Sequence, residues 1–124
     1  MKTAKQEFLA SILKKGESYA GIIIGKDGDP DYHLILLAPE AGWVSWENAK
    51  WFASTVGGEL PTRREQYLLF ANLKEEFIGD QHWSSEHHAS YSDFAWSQGF
   101  GNGIRYDTPK HTLIRARAIR RVVI

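Results

Sequence analysis

The chain has 124 residues, with 15 basic and 15 acidic side chains and no cysteine. That length suits one domain, and 43% apolar with 24% charged residues excludes a disordered chain. Zero net charge argues against bulk electrostatic attraction to nucleic acid or anionic lipid, and the missing cysteines exclude disulfides, thiolate metal sites and a cysteine nucleophile.

No apolar run approaches the ~18 residues of a membrane span, so no membrane insertion is expected. Lys2, Lys5 and Lys14-Lys15 flank no secretion-type apolar stretch. A cytoplasmic location is expected, with a phage particle assembled there fitting equally well. Met1 leads to the expectation of a complete chain.

Taken in order, Thr3 to Lys15 has helical spacing, with Phe8, Leu9, Ile12 and Leu13 on one face and Gly16 as the stop. This is expected to be an N-terminal helical arm over 1–17, ahead of one domain over 18–124. Tyr19–Gly25 and Tyr32–Ala38 read as a β-hairpin around the turn formers of 26–31. Asp27, Asp29 and Asp31 alternate as in part of a calcium loop. The sixth and twelfth positions are Tyr32 and Ala38, however, where that loop needs glycine and glutamate.

Ser45 is expected to cap a helix from Trp46 to about Val56, ended by Gly57-Gly58. Thr62 and Glu65 form a capping box for a helix running to about Phe77, with Tyr67, Leu68, Phe70, Ala71 and Leu73 as its apolar positions. After Gly79 the pattern turns to strands: His82–Ser85, then Phe94–Phe100 with Phe94, Trp96 and Gln98 on one face. The tight turn Gly101-Asn102-Gly103 follows, then Ile104–Asp107. The closing run Leu113–Ile124 alternates Ile114, Ala116, Ala118, Val122 and Ile124 with Arg115, Arg117 and Arg121. Its arginines read as a solvated sheet edge, with an anion or partner site as the other reading. Helices grouped between strands give an α+β class with antiparallel sheets, two flanking helices and the N-terminal helix, the last strand lying beside the first.

Several pieces together carry a family resemblance: Trp46-Glu47-Asn48-Ala49, the run Gly57–Glu65 with Leu60-Pro61-Thr62-Arg63, His82-Trp83-Ser84-Ser85, Ala95-Trp96 followed by Gly99-Phe100, and Arg117-Ala118-Ile119-Arg120. In order and spacing the set resembles the DUF1566 family of bacterial and phage domains, over roughly residues 19–124. The resemblance implies a C-type lectin-like fold, shared with formylglycine-generating enzymes and variable receptor-binding proteins of phages. It implies paired N- and C-terminal strands and a small second sheet that presents a ligand surface. It also implies that Trp83 fills the core, that Ser84 bonds to backbone and that Trp96 is core. Where relatives carry a cysteine pair, this chain has Ala53 and Ala118, which the resemblance places close together. Formylglycine-generating chemistry needs cysteines, and calcium-dependent lectins need a Glu-Pro-Asn or Gln-Pro-Asp loop with a Trp-Asn-Asp strand. None of these is present.

Chemistry-bearing residues are sparse. His33, His82, His87, His88 and His111 show no metal-ligand spacing. Ser84-Ser85-Glu86-His87 lacks a nucleophile elbow. What remains is a surface between 86 and 106, rich in aromatic and adaptable polar groups alongside Trp96 and Gln98. The expected ligand-binding residues are Glu86, His87, His88, Tyr91, Asp93, Asn102, Arg105 and Tyr106, with no catalytic residue, metal or cofactor. The expected function is a non-catalytic module of phage or prophage type, binding a glycan or a protein without calcium, with a homotrimer expected by analogy alone. A structural subunit docking a partner protein and a metal-dependent enzyme using loop histidines are the alternatives.

Overall fold

A computed structural model describes all 124 residues. The order is α1 (Ala4–Ile12), β1 (Ser18–Ile23), β2 (Tyr32–Val44), α2 (Trp46–Thr55), α3 (Arg63–Leu73), β3 (Gln81–His87), β4 (Phe94–Gly99), β5 (Arg105–Pro109) and β6 (Ile114–Val123). The class is α+β, and no helix is long and apolar enough to cross a membrane.

Local signals set the helix starts. Thr3, Ser45 and Thr62 each accept the N–H three residues on, and Thr62 with Glu65 forms the full capping box. Gly57 ends α2 at φ 84, and Gly58 runs so close under β6 that an added Cβ would lie 2.5 Å from the Ile119 carbonyl oxygen. Helix α3 stops at Leu73, short of the expected Phe77, and a 3-10 turn covers Lys74–Glu76. Its buried face also differs from expectation. Glu65, Gln66 and Leu69 point inward, while Tyr67 and Ala71 are exposed. Two polar side chains can be buried there because each has partners: Gln66 donates to the His82 carbonyl, and Glu65 meets Tyr32 and Arg121.

The six strands form one sheet in the order β1-β2-β6-β3-β4-β5. The sheet is mixed rather than antiparallel, because β6 runs parallel to β3 at His82↔Arg115. The closing strand pairs with β2, not with β1, which is an edge. Alternation along β6 divides the core. Ile114, Ala116 and Ala118 join Trp46, Ala49 and Ala53 of α2 with Trp83, while Ile119 joins Leu34, Leu36, Leu69 and Phe100 on the α3 side. Ala53 and Ala118 thus share one cluster. Two indole N–H groups tie the centre together, Trp46 to the Ser84 carbonyl and Trp83 to the Val44 carbonyl, both at 2.8 Å. The Ser84 hydroxyl accepts the Glu86 N–H at 3.1 Å.

The arginines of β6 are not a solvated edge, because β6 is an interior strand and each guanidinium finds partners. Arg115 pairs with Asp80, Arg120 with Glu17 and the Ile12 carbonyl, and Arg121 with Glu59 and Glu65. Arg117 is only 5% exposed and donates to the Leu37 and Glu76 carbonyls at 2.8 and 2.6 Å. Arg120 thereby holds the end of α1, whose Phe8 packs edge-on against Tyr19. At Glu65, burial alone would push the pKa up. Hydrogen bonds from Arg121, Tyr32 and the Thr62 N–H outweigh it and hold the carboxyl below the ordinary range. The Tyr32 phenol is pushed up to about 12, by burial first and by Glu65 second.

Candidate functional site

The long strand β2 breaks register twice, between Leu36 and Glu40 and again between Ala41 and Val44. Inside the second irregularity Trp43 takes φ 57, a left-handed conformation that costs a side-chain-bearing residue roughly 1–2 kcal/mol. The indole that this strain displays is 60% exposed. Arg115 lies over its ring, 4.8 Å from the centroid, and is itself held by Asp80 at 3.0 Å. Beside Trp43 opens a cavity of ≈ 390 Å³ lined by Asp80, Gln81, Asn102, Tyr106 and Ile114, together with Gly79, Gly99 and Gly101. Asn102 donates to the Tyr106 hydroxyl and accepts the Ile104 N–H, both at 2.9 Å, which fixes its amide. The set combines one exposed aromatic face with amide, carboxylate and phenol groups already oriented. That chemistry suits a ring with an apolar face and hydroxyls on its rim.

Of the expected ligand-binding residues, the structure brings Asn102 and Tyr106 to this cavity. His87, His88, Tyr91 and Asp93 lie elsewhere. His87 stacks on Trp46 with ring centroids 6.3 Å apart. The His88 ring lies against Trp96 at 5.0 Å, and its Nδ1 accepts the Ser90 and Tyr91 N–H groups, so it closes the β3–β4 loop. Tyr91 and Asp93 are exposed on that loop, and Asp93 borders a shallow depression with Lys110 and His111. Trp96, expected in the core, is half-buried between His88 and the Arg63 guanidinium, because the β3–β4 loop and α3 cover it only in part.

Glu86 and Arg105 occupy a third place, on the α3 side. The Glu86 carboxylate accepts the Arg63 N–H at 2.7 Å and the Arg63 guanidinium at 3.1 Å. Burial pushes its pKa up, and those two Arg63 contacts bring it below the ordinary carboxylate range. Gln98 does not sit on an open face with Phe94 and Trp96: it is fully buried, and its amide has no partner. The histidines are dispersed, and no three His, Asp or Glu side chains gather as metal ligands.

Trp43, Asp80 and Gln81 escape a sequence reading. Gly42 and Gly79 hint at irregular backbone beside them, but only the register break shows that an indole is turned outward. The sequence matches no protein-family model and no curated protein.

Proposed function

We propose that this chain is a non-catalytic binding module that takes a saccharide without calcium, at the cavity beside Trp43. The observation that carries the reading is the strained, exposed indole at φ 57 next to oriented polar groups. A large aromatic held in a costly conformation and left mostly in solvent gives the fold little beyond its contact with Arg115, so its use lies in what else it can touch. The cavity supplies a single carboxylate, Asp80, already neutralised by Arg115, which suits direct hydrogen bonding to hydroxyls rather than calcium ligation.

The frame supports a C-type lectin-like, DUF1566-like assignment as part of the same proposal. A hairpin, two capped helices, a Trp83-Ser84 strand and a closing strand follow in the order of that pattern. The resemblance extends the proposal to a receptor-binding or structural protein of a phage or prophage.

Binding of the labelled protein to bacterial envelope saccharides, with and without chelator, tests the reading. Saturable binding that survives the chelator is expected, weakened about tenfold or more by Trp43→Ala, which corresponds to about 1.4 kcal/mol. The thermal midpoint should fall only slightly, since the indole is 60% exposed and alanine keeps the same backbone strain while losing the Arg115 contact. No saccharide binding, or equal binding by Trp43→Ala, overturns the proposal.

A further inference from the structure

Six of the seven arginines are engaged: Arg63, Arg115, Arg117, Arg120 and Arg121 by carboxylates and Arg64 by the Ile24 carbonyl at 2.7 Å. Arg105 differs. It lies over the Tyr67 ring, 4.5 Å from the centroid, its buried Nε has no partner, and no ion pair or hydrogen bond takes up its terminal nitrogens. It faces a depression of ≈ 360 Å³ shared with Arg63, Arg64, Tyr67 and Glu86. Three guanidinium groups against one carboxylate leave this depression with two uncompensated positive charges.

At the start of α3, Glu86 already takes the Arg63 N–H and Glu65 the Thr62 N–H, so the guanidinium groups are not needed to complete the helix cap. Arg105 pairs across the β4–β5 ladder with Gln98, so the two side chains share one face. The unpartnered Gln98 amide and the unpartnered Arg105 Nε therefore fall at adjacent positions. Unsatisfied buried groups of this kind are rare in a folded chain and ask for an explanation. A planar guanidinium held over an aromatic ring with its terminal nitrogens free is suited to a two-oxygen acceptor, and a phosphate monoester carries ~1.5–2 negative charges, close to the local excess.

We propose that Arg105, with Arg63 and Arg64, binds a phosphate monoester group on the α3 side of the sheet, at a place separate from the cavity beside Trp43. The site needs no calcium and no part of the saccharide reading.

Titration calorimetry of the intact chain with phenyl phosphate, and with inorganic phosphate, tests it. Acetate and methyl sulfate, as singly charged oxyanions, are the controls. Saturable binding of both phosphates, at least about tenfold tighter than either control, is expected. Arg105→Gln should weaken it about tenfold or more with little change in the thermal midpoint, since Arg105 makes no hydrogen bond or ion pair and its protein contact is the Tyr67 ring. Arg64→Gln should weaken it by a smaller factor, and Trp43→Ala should leave it unchanged, which separates this site from the saccharide cavity. Absence of saturable phosphate binding, equal binding by Arg105→Gln, or equal affinity for acetate overturns the proposal.

Discussion

Gln98 shows how much a single side chain can cost. It is fully buried on β4, and neither its amide nitrogen nor its oxygen has a partner. A desolvated amide without hydrogen bonds costs roughly 1–3 kcal/mol, whereas an apolar side chain of similar length contributes packing there. Gln98→Met is therefore expected to raise the unfolding free energy by about 1 kcal/mol, read as a higher urea midpoint at an unchanged slope. A lower midpoint would mean that the amide makes an interaction essential to the fold. Gln98 and Trp43 were both opaque in the sequence for one reason. Alternation places Gln98 on a face and says nothing of what covers that face. Nothing in Gly42-Trp43-Val44 announces the left-handed φ that turns an indole outward.

At the scale of elements, β6 separates what local pattern can reveal from what it cannot. The helix starts at Ser45 and Thr62, the hairpin around 26–31 and the tight turn before β5 were legible because their causes lie within four or five residues. The arginines of β6 were not legible, since their partners come from far along the chain, Glu17 for Arg120 and Glu65 for Arg121. An alternating Arg strand looks the same whether it is an edge or an interior strand. The two cases differ in energy, and the difference is measurable. Arg117→Met leaves the Leu37 and Glu76 carbonyls without their donors and is expected to cost about 3 kcal/mol in denaturant unfolding. Arg115→Met breaks a pair whose Asp80 side chain is half exposed and is expected to cost under about 1 kcal/mol. Equal costs would mean that the buried Arg117 contacts contribute no more than a half-exposed surface pair.

For the molecule as a whole, pH separates the groups that the fold keeps neutral from those it keeps charged. His82 is packed edge-on against Phe77 and Phe100, and burial pushes its pKa down to about 4 from the ordinary 6.5, with a hydrogen bond at the Asp80 carbonyl opposing. The unfolded chain therefore binds a proton at this residue between pH 6.5 and about 4 that the folded chain refuses. Stability is full above 6.5, falls as pH drops through that window, and levels off below it, with a loss of about 3 kcal/mol at most. Glu17, Glu65 and Glu86 work in a lower window. Each is held below the ordinary carboxylate value, so each adds stability that is complete above about pH 5 and is lost as pH falls through its folded value. Two stages of acid destabilisation are the expected outcome, one starting near neutrality and one below about pH 4.5. Equilibrium urea unfolding from pH 8 to 3 reads both. His82→Phe keeps the aromatic contacts and removes the titrating ring, so it should abolish the first stage and leave the second. If the slope between pH 6.5 and 4 survives in His82→Phe, the neutral buried histidine is not its source.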